Sequence, residues 1–242
     1  MRVQHFHIEN NKDIILKMAK ENTKATQQQE KVMESVSKTE QFYNENKKII
    51  WGCVIALAVI ALAILGYRKF IYEPKAAEAA EQMFPAENAF MNGDFSLALE
   101  GDGNNLGFED IISEYGSKAG KAVYLYAGLS HLNLKNYDKA IDYLKKYKGK
   151  EPILAARALV SLGDAYAGLE DYANAQKYYT QAIEKGDNLF AASYMFKLGQ
   201  VYEELGQTDK ALELYKKIED QYPQSVEAYD IGKYITRIEN SK

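Results

Sequence analysis

The chain has 242 residues, with 30 Lys and Arg against 34 Asp and Glu, a net charge of −4, and 47% hydrophobic residues. This composition supports a packed core and excludes an intrinsically disordered chain, and the charge gives no indication of nucleic-acid binding. Four Pro, 16 Gly and one Cys exclude a collagen-like repeat and a disulfide-stabilised secreted scaffold.

The N-terminal residues are polar and contain nothing that could form a core. We therefore expect a disordered tail over residues 1–29, in which Met18 is an alternative first residue to Met1. His5 and His7 resemble a metal-binding pair, but two His on a flexible tail are more often incidental. No metal site is predicted there.

A short juxtamembrane helix is predicted over residues 30–48. Its hydrophobic residues recur near helical spacing, as at Val32 and Val36. This helix leads into the most apolar part of the chain.

Residues 49–67 are 19 consecutive residues without a charge. As a helix they span about 28 Å at roughly 1.5 Å per residue, which matches the hydrocarbon thickness of a bilayer. Lys47 and Lys48 precede this block, and Arg68 and Lys69 follow it. We predict a transmembrane helix that contacts the lipid bilayer. A buried core helix is the alternative, and a cleaved signal peptide fits less well because the block starts far from the N-terminus.

Charge on the two sides of this block gives an orientation. Residues 1–48 carry 9 basic and 7 acidic groups, whereas residues 70–242 carry 19 basic and 27 acidic groups. Because basic segments stay in the cytoplasm, we expect a cytoplasmic N-terminus and the bulk of the chain outside. Basic residues flank both ends of the block, so the reverse orientation is the alternative.

The remainder predicts helices throughout, because Ala, Leu, Lys, Glu and Tyr dominate and alternating β-branched residues are absent. Within it, Gly128, Gly163 and Gly199 mark three segments that repeat after 35 and 36 residues. The other aligned residues are Ala140, Ala175 and Ala211; Leu144, Tyr179 and Tyr215; His131, Tyr166 and Tyr202; and Leu134, Leu169 and Leu205.

This period and pattern resemble the tetratricopeptide repeat (TPR), a helix-turn-helix unit of about 34 residues. The small residues fit where the two helices of a unit cross closely. Pro152 and Pro223 are expected to end the second helices of the first and third units. The sequence therefore predicts an all-α fold, in which a transmembrane helix is followed by a TPR α-solenoid with three repeats over residues 118–224.

Further helices are predicted on both sides of the three repeats. Residues 76–115 indicate a degenerate TPR-like unit, in which Phe95 and Ala98 match the start of a second helix. The Gly-rich stretch 101–105 predicts a flexible connection, because it lacks the Lys-Ser/Thr of a phosphate-binding loop. Residues 225–242 predict an amphipathic capping helix.

The whole arrangement resembles the YfgM-type single-span TPR proteins of bacterial inner membranes. The resemblance covers roughly residues 30–242 and rests on the Lys-rich N-terminus, the span, the stretch GFEDIISEY at 107–115 and the repeats. It implies a C-terminal domain in the periplasm, association with the Sec translocon and a chaperone-like role in protein export. A structural envelope scaffold for cell division or outer-membrane assembly is the alternative.

No enzyme activity is predicted, and neither catalytic residues nor a cofactor nor a metal. His131 occupies a position that Tyr166 and Tyr202 fill in the other repeats, and Cys53 lies in the apolar block, where no base could activate it. Motifs such as HExxH, CxxC and GxSxG are absent. The sequence favours a protein-protein interaction adaptor.

In a TPR stack the first helix of each repeat lines a concave groove, and the resemblance implies which residues face it here. The Lys and Asn pattern that clamps a C-terminal carboxylate is missing. The first repeat presents an apolar wall suited to an extended or helical apolar segment, unless residues 76–115 cover it. The predicted groove residues are Ala122, Leu125, Leu129 and Leu132; Arg157, Val160, Asp164 and Ala167; and Ser193, Phe196, Gln200 and Glu203.

Overall fold

The structure, a computed structural model, describes residues 3–185 and 189–241. The described residues are almost entirely helical and include no strand, as the predicted all-α fold requires. The chain divides into two units, Met1–Tyr67 and Arg68–Lys242, each of which is described by itself.

The first unit is one helix, α1, at Val3–Tyr67. The structure places residues 3–29 in this helix, where the sequence predicted a disordered tail, and residues 30–48 belong to the same helix. The reason is that no Gly or Pro occurs before Gly52, while Lys, Glu, Gln and Ala are frequent. Nothing in this segment breaks a helix once it has started.

The apolar block 49–67 forms the C-terminal part of α1. Every residue in it is exposed except Ile50 and Gly66, which are half-buried. Among the described residues, this is the one helix long and apolar enough to cross a membrane. At its start, the Trp51 indole N–H donates to the Tyr43 hydroxyl at 3.1 Å, which joins two amphipathic rings.

The second unit begins with a π-helical turn at Arg68–Tyr72 and contains a short 3-10 turn at Gly116–Ala119. Its α-helices within the described residues are α2 (Glu73–Met91), α3 (Phe95–Glu100), α4 (Phe108–Tyr115), α5 (Ala122–Asn133), α6 (Tyr137–Lys146), α7 (Pro152–Gly168), α8 (Tyr172–Ile183), α9 (Ala191–Glu204), α10 (Thr208–Gln221) and α11 (Val226–Asn240).

Four helical hairpins, α2–α3, α5–α6, α7–α8 and α9–α10, share one turn geometry. In each turn, one residue has a positive φ, and the amide of the next residue donates to the carbonyl five residues earlier at 2.7–2.9 Å. This pair of features is the Schellman closure of a helix. The degenerate hairpin α2–α3 is therefore turned in the same way as the three predicted repeats. The positive-φ residues are Gly93 (85°), Lys135 (60°), Glu170 (59°) and Gly206 (69°).

Glycines allow the two helices of each repeat to approach closely. A methyl group at any of the three aligned glycines would overlap the side chain that the sequence alignment places in the partner helix. Such a Cβ would lie 2.6 Å from Leu144 Cγ at Gly128, 2.5 Å from Tyr179 Cε1 at Gly163 and 2.3 Å from Tyr215 Cε1 at Gly199. The spacing found in the sequence thus corresponds to the packing of the hairpins.

One proline does not have the predicted role. The second helix of the first repeat, α6, ends at Lys146, well before Pro152. Pro152 is instead the first residue of α7, where its missing N–H would have no partner within the helix anyway. Pro223 follows the end of α10 closely, as expected.

An insertion separates the first hairpin from the second. Helix α3 ends after six residues at Gly101, whose φ is 73°. At Gly107 a Cβ would lie 2.1 Å from the Leu99 carbonyl oxygen, so the chain turns back directly against α3. Helix α4 then buries Phe108 and Ile111 completely in a core that α2, α3 and α5 share.

Helix α11 packs against α9 and α10 at the C-terminal end of the stack. Ile231, Ile235 and Ile238 are buried there, as the predicted capping helix requires. Val226 and Tyr229 at the start of α11 are 87% and 92% exposed. Their positions face away from the core that α11 shares with α9 and α10.

Candidate functional site

The first helices of the three repeats, α5, α7 and α9, border a cavity of about 420 Å³. Helix α7 forms its floor with residues spaced three or four apart, which places them on one face of the helix. We call this the concave cavity. It is lined by Leu129, Leu132, Asn133, Ile153, Arg157, Val160, Ser161, Asp164, Phe190, Ser193, Tyr194 and Lys197.

The structure brings together part of the groove predicted from sequence. Ser193 and five residues from the first two repeats line the concave cavity, namely Leu129, Leu132, Arg157, Val160 and Asp164. Leu125, Phe196 and Gln200 do not line it. Leu125 is buried in a cluster with Ala158 and Leu162 of α7, and Gln200 is exposed elsewhere on α9.

Phe196 is displaced from the groove by the capping helix. Its ring packs edge-on against Tyr234 of α11, with the ring centroids 5.0 Å apart, and also contacts Tyr215. Leu125 and Phe196 occupy equivalent positions in their repeats and pack against the next helix of the stack, whereas Val160 at the same position of the second repeat also lines the cavity. The helix that follows α5 in the stack is α7, the first helix of the second repeat. The helix that follows α9 is the capping helix α11.

The apolar wall of the first repeat is largely covered. Leu125 and Leu129 are each 6% exposed, and they pack with residues of α6 and α7. Phe90 of α2 also packs against this cluster, so residues 76–115 contribute to the cover. Leu132 remains half-buried at the cavity wall.

One carboxylate in the concave cavity is fully engaged. Asp164 Oδ1 accepts hydrogen bonds from the Tyr179 hydroxyl at 2.7 Å and from Lys197 Nζ at 2.6 Å. Burial, followed by the nearby Asp164 carboxylate, raises the pKa of Tyr179, so this phenol remains a donor. The ion pair between Asp164 and Lys197 links α7 to α9, and the charges of these two residues neutralise each other.

Arg157 is the second basic residue that lines the cavity, beside the paired Lys197. It is exposed on α7, lines the cavity and makes no ion pair with any residue that the structure describes. Large apolar side chains stand around it, with Ile153 53% exposed and Phe190 42% exposed. The Phe190 ring stacks on Tyr194, with the centroids 6.4 Å apart. Among the residues that the structure describes, Arg157 is therefore the one lining cation without an ion pair, and apolar side chains surround it.

The sequence prediction missed several lining residues. Some of them would have been found by extending the predicted face of each first helix by one turn. Ile153 lies four residues before Arg157, and Lys197 lies four residues after Ser193, so both continue the predicted face of their helix. Phe190 precedes α9 and has no equivalent in the repeat pattern. The pairing of Lys197 with Asp164 joins residues 33 positions apart and has no local signal.

A separate polar cluster attaches the inserted helix α4 to the first repeat. The His131 side chain is 2% exposed, and its Nε2 lies 3.0 Å from Glu109 Oε1, which also accepts from the Tyr143 hydroxyl at 3.1 Å. Lys139 Nζ lies 3.6 Å from the same oxygen. The rings of His131 and Tyr143 stack, and His131 Nδ1 has no hydrogen-bond partner.

The electrostatics of this cluster favour a neutral imidazole. Burial lowers the pKa of His131, although the Glu109 carboxylate opposes the shift. Partial burial acts to raise the pKa of Glu109, but hydrogen bonds from His131 and Tyr143 outweigh it and hold that pKa below its usual value. Burial and the Glu109 charge raise the pKa of Tyr143 to about 12. Neutral His131 therefore donates from Nε2 to ionised Glu109.

No group of three or more His, Cys, Asp or Glu in the described part of the chain is arranged to hold a metal ion. The side chains of His5 and His7 lie outside the described residues. Cys53 is exposed on α1.

Two family models of the tetratricopeptide repeat match the chain, one over residues 122–152 and the other over residues 160–226. A crystal structure of MamA protein is similar with a TM-score of 0.53 and 24% identity, covering 67% of this chain and 81% of that chain. A second crystal structure of MamA has a TM-score of 0.47 and 22% identity, covering 64% of this chain and 92% of the other.

The first of these likenesses shows a shared fold. A search among curated proteins gives no match. The family models coincide with the hairpins α5–α6, α7–α8 and α9–α10, whose turns and glycine contacts repeat in register. This part of the chain therefore matches tetratricopeptide repeats in sequence and in hairpin geometry, and repeats of this kind build concave surfaces for binding other proteins.

Proposed function

We propose that the chain is a membrane-anchored TPR adaptor that assists protein export, as a translocon accessory or chaperone-like factor. This proposal rests on the concave cavity, because three successive first helices border it and Arg157, which forms no ion pair with the residues that the structure describes, gives it a positive charge. Such a surface suits a protein segment in which large apolar side chains flank a carboxylate.

The anchor in this proposal is the exposed apolar block 49–67 of α1, which would insert into the inner membrane. The N-terminus would lie in the cytoplasm and the repeats in the periplasm. The resemblance to the YfgM-type proteins supports the Sec translocon as the neighbouring machine. Of the twelve groove residues predicted from sequence, the six that line the cavity keep their proposed role.

Photo-crosslinking in living bacterial cells tests this proposal. A photoreactive phenylalanine analogue replaces Tyr72, which follows the apolar block, or Phe190, which lines the concave cavity. We expect Tyr72 to crosslink to the Sec channel and Phe190 to crosslink to exported precursor proteins. The same analogue at Tyr229, which is exposed on α11 outside the cavity, should give neither product.

Charge reversal identifies the groove as the binding surface. We expect Arg157→Glu to reduce crosslinking from Phe190 by about fivefold to tenfold, because a carboxylate in the segment would meet a like charge. Gln200→Glu adds a negative charge to α9 outside the cavity and should leave crosslinking unchanged. Crosslinks to division or outer-membrane assembly proteins in place of the Sec channel would favour the envelope scaffold.

A further inference from the structure

A second cavity lies on the other side of α7 and has a volume of about 380 Å³. Helix α7 lines it with Ala155, Ala158, Leu159 and Leu162, which alternate along the helix with the residues that face the concave cavity. The two cavities are therefore on opposite faces of α7, and the second cavity is not part of the protein-binding groove.

The rim of the second cavity is basic. Lys145 and Lys148, near the end of α6, and Lys185, after α8, line it together with the rings of Tyr147 and Tyr178. Lysines 148 and 185 make no ion pair with the residues that the structure describes, and Lys145 Nζ donates to the Tyr166 hydroxyl at 2.8 Å. We call this site the lysine pocket.

Among the residues that the structure describes, no carboxylate lines the lysine pocket. Two carboxylates lie close by without lining the pocket: Glu151 accepts from the Tyr147 hydroxyl at 3.5 Å, and Asp142 acts electrostatically on Lys145. Residues 145–150 contain four Lys and no acidic residue, although residues 70–242 as a whole carry a net charge of −8. A local positive potential in an acidic domain indicates an anionic ligand.

We propose that the lysine pocket binds the phosphate of an anionic phospholipid. Lysine ammonium groups are point-charge donors that suit a phosphate, and the alanine and leucine floor suits the adjoining glycerol and the first acyl carbons. The pocket is compact, which fits a headgroup better than an extended acidic peptide. This inference rests on the membrane anchorage proposed above, in which the apolar block 49–67 tethers the same chain to a bilayer.

Amine labelling of the full chain in lipid nanodiscs tests the proposal. Nanodiscs contain phosphatidylcholine alone or phosphatidylcholine mixed with phosphatidylglycerol, and mass spectrometry follows the acetylation rate of each lysine. We expect acetylation of Lys145, Lys148 and Lys185 to slow by about fivefold with phosphatidylglycerol. A bound phosphate keeps these amines protonated, and only the unprotonated amine is acetylated. Lys217, exposed on α10, serves as the internal control and should react at one rate in both.

Paired variants test whether the lysines act together. Lys148→Gln with Lys185→Gln should abolish the slowing at Lys145, because one ammonium alone holds a phosphate weakly. Lys210→Gln with Lys217→Gln removes the same charge from α10 and should preserve that slowing. Equal rates in both lipids, or slowing at Lys145 that survives the first pair of substitutions, would overturn the proposal.

Two further measurements in phosphatidylcholine nanodiscs test whether an anion other than a lipid phosphate occupies the pocket. Inorganic phosphate or poly-glutamate is added to the anchored chain, and we expect neither to slow acetylation as phosphatidylglycerol does. Equal protection by free phosphate, or protection by poly-glutamate alone, would exclude the lipid as ligand. A chain that fails to enter nanodiscs overturns the anchorage and this inference together, whereas an incorporated chain without protection overturns this inference alone.

Discussion

The residue that closes the first helix of each hairpin adopts the left-handed conformation, and its identity varies between hairpins. Gly93 and Gly206 reach positive φ without steric cost, whereas Lys135 and Glu170 hold φ values of 60° and 59° with a Cβ present. The Schellman hydrogen bonds are the same in all four turns. The hairpin geometry therefore imposes this conformation on whichever residue occupies the position.

Replacement of Glu170 with Gly should stabilise the domain. Glu170 is exposed, so relief of the left-handed strain outweighs the greater chain entropy of Gly, and we expect a gain of about 0.5–1 kcal/mol in the free energy of unfolding. Urea unfolding of the full chain, followed by circular dichroism, measures the change. Gly206→Ala at the equivalent turn should lower stability by about 1 kcal/mol. A lower unfolding midpoint for Glu170→Gly would contradict this account.

The repeat elements could be predicted because each depends on local residue size. The spacing of Gly128, Gly163 and Gly199 located the three hairpins, since only a small residue allows the close crossing seen there. The boundary at Pro152 could not be read in the same way, because proline is compatible both with the end of one helix and with the start of the next.

The candidate site was predicted only in part because the first helix of each repeat has two faces with large apolar side chains, and the sequence does not distinguish them. One face lines the concave cavity, and the other packs on the next helix, and both carry leucine or another large side chain. Leu129 lies on the cavity side, whereas Leu125 and Phe196 pack against neighbouring helices. Which face is which depends on α7 and α11, so a single repeat does not contain the information.

Helix α4 is attached to the first repeat by a cluster that contains the titratable side chains of His131 and Glu109. His131 on α5 is faced by Glu109 on α4, by Lys139 and Tyr143 on α6, and electrostatically by Glu100 at the end of α3. Protonation would place a second N–H at Nδ1, where no acceptor is available. The folded state therefore opposes protonation of this ring, and the pKa of His131 lies below the usual value of 6.5.

Acidification should destabilise the chain through His131. Because its pKa is lower in the folded state, the unfolded chain binds more protons, and the free energy of unfolding falls as the pH drops below about 6.5. Glu109 also has a lowered pKa, so its contribution is present above pH 4.5 and is lost only in more acidic solution. Urea unfolding from about pH 7.5 to about pH 5.5 isolates the histidine effect.

The variant His131→Tyr should make this pH dependence flatter. Tyrosine occupies the same position in the other repeats, as Tyr166 and Tyr202, and it does not titrate in this range. The control variant replaces His5 and His7, the two other histidines of the chain, with Gln and should keep the wild-type slope. Equal slopes for wild type and His131→Tyr would show that the His131 contact is not the acid-sensitive element.

At the scale of the whole molecule, the charges on the two sides of the apolar block differ in sign. The first 48 residues have a net charge of +2, and residues 70–242 have a net charge of −8. The lysine pocket is a local exception within the acidic side, and the concave cavity adds the free charge of Arg157. Both sites therefore present positive groups on a domain with a negative net charge. Anions are attracted locally to these two sites and repelled by the remainder of the domain surface.

The proposed orientation places the basic N-terminal side in the cytoplasm, and the accessibility of single cysteines tests it. With Cys53 replaced by Ser, we expect an impermeant maleimide to label Tyr229→Cys in intact spheroplasts, because this exposed site would lie in the periplasm. Ser37→Cys, exposed on α1 before the apolar block, should react only after lysis. The opposite pattern would reverse the topology and place the partner of the concave cavity in the cytoplasm, where an export role could not begin from the periplasmic side.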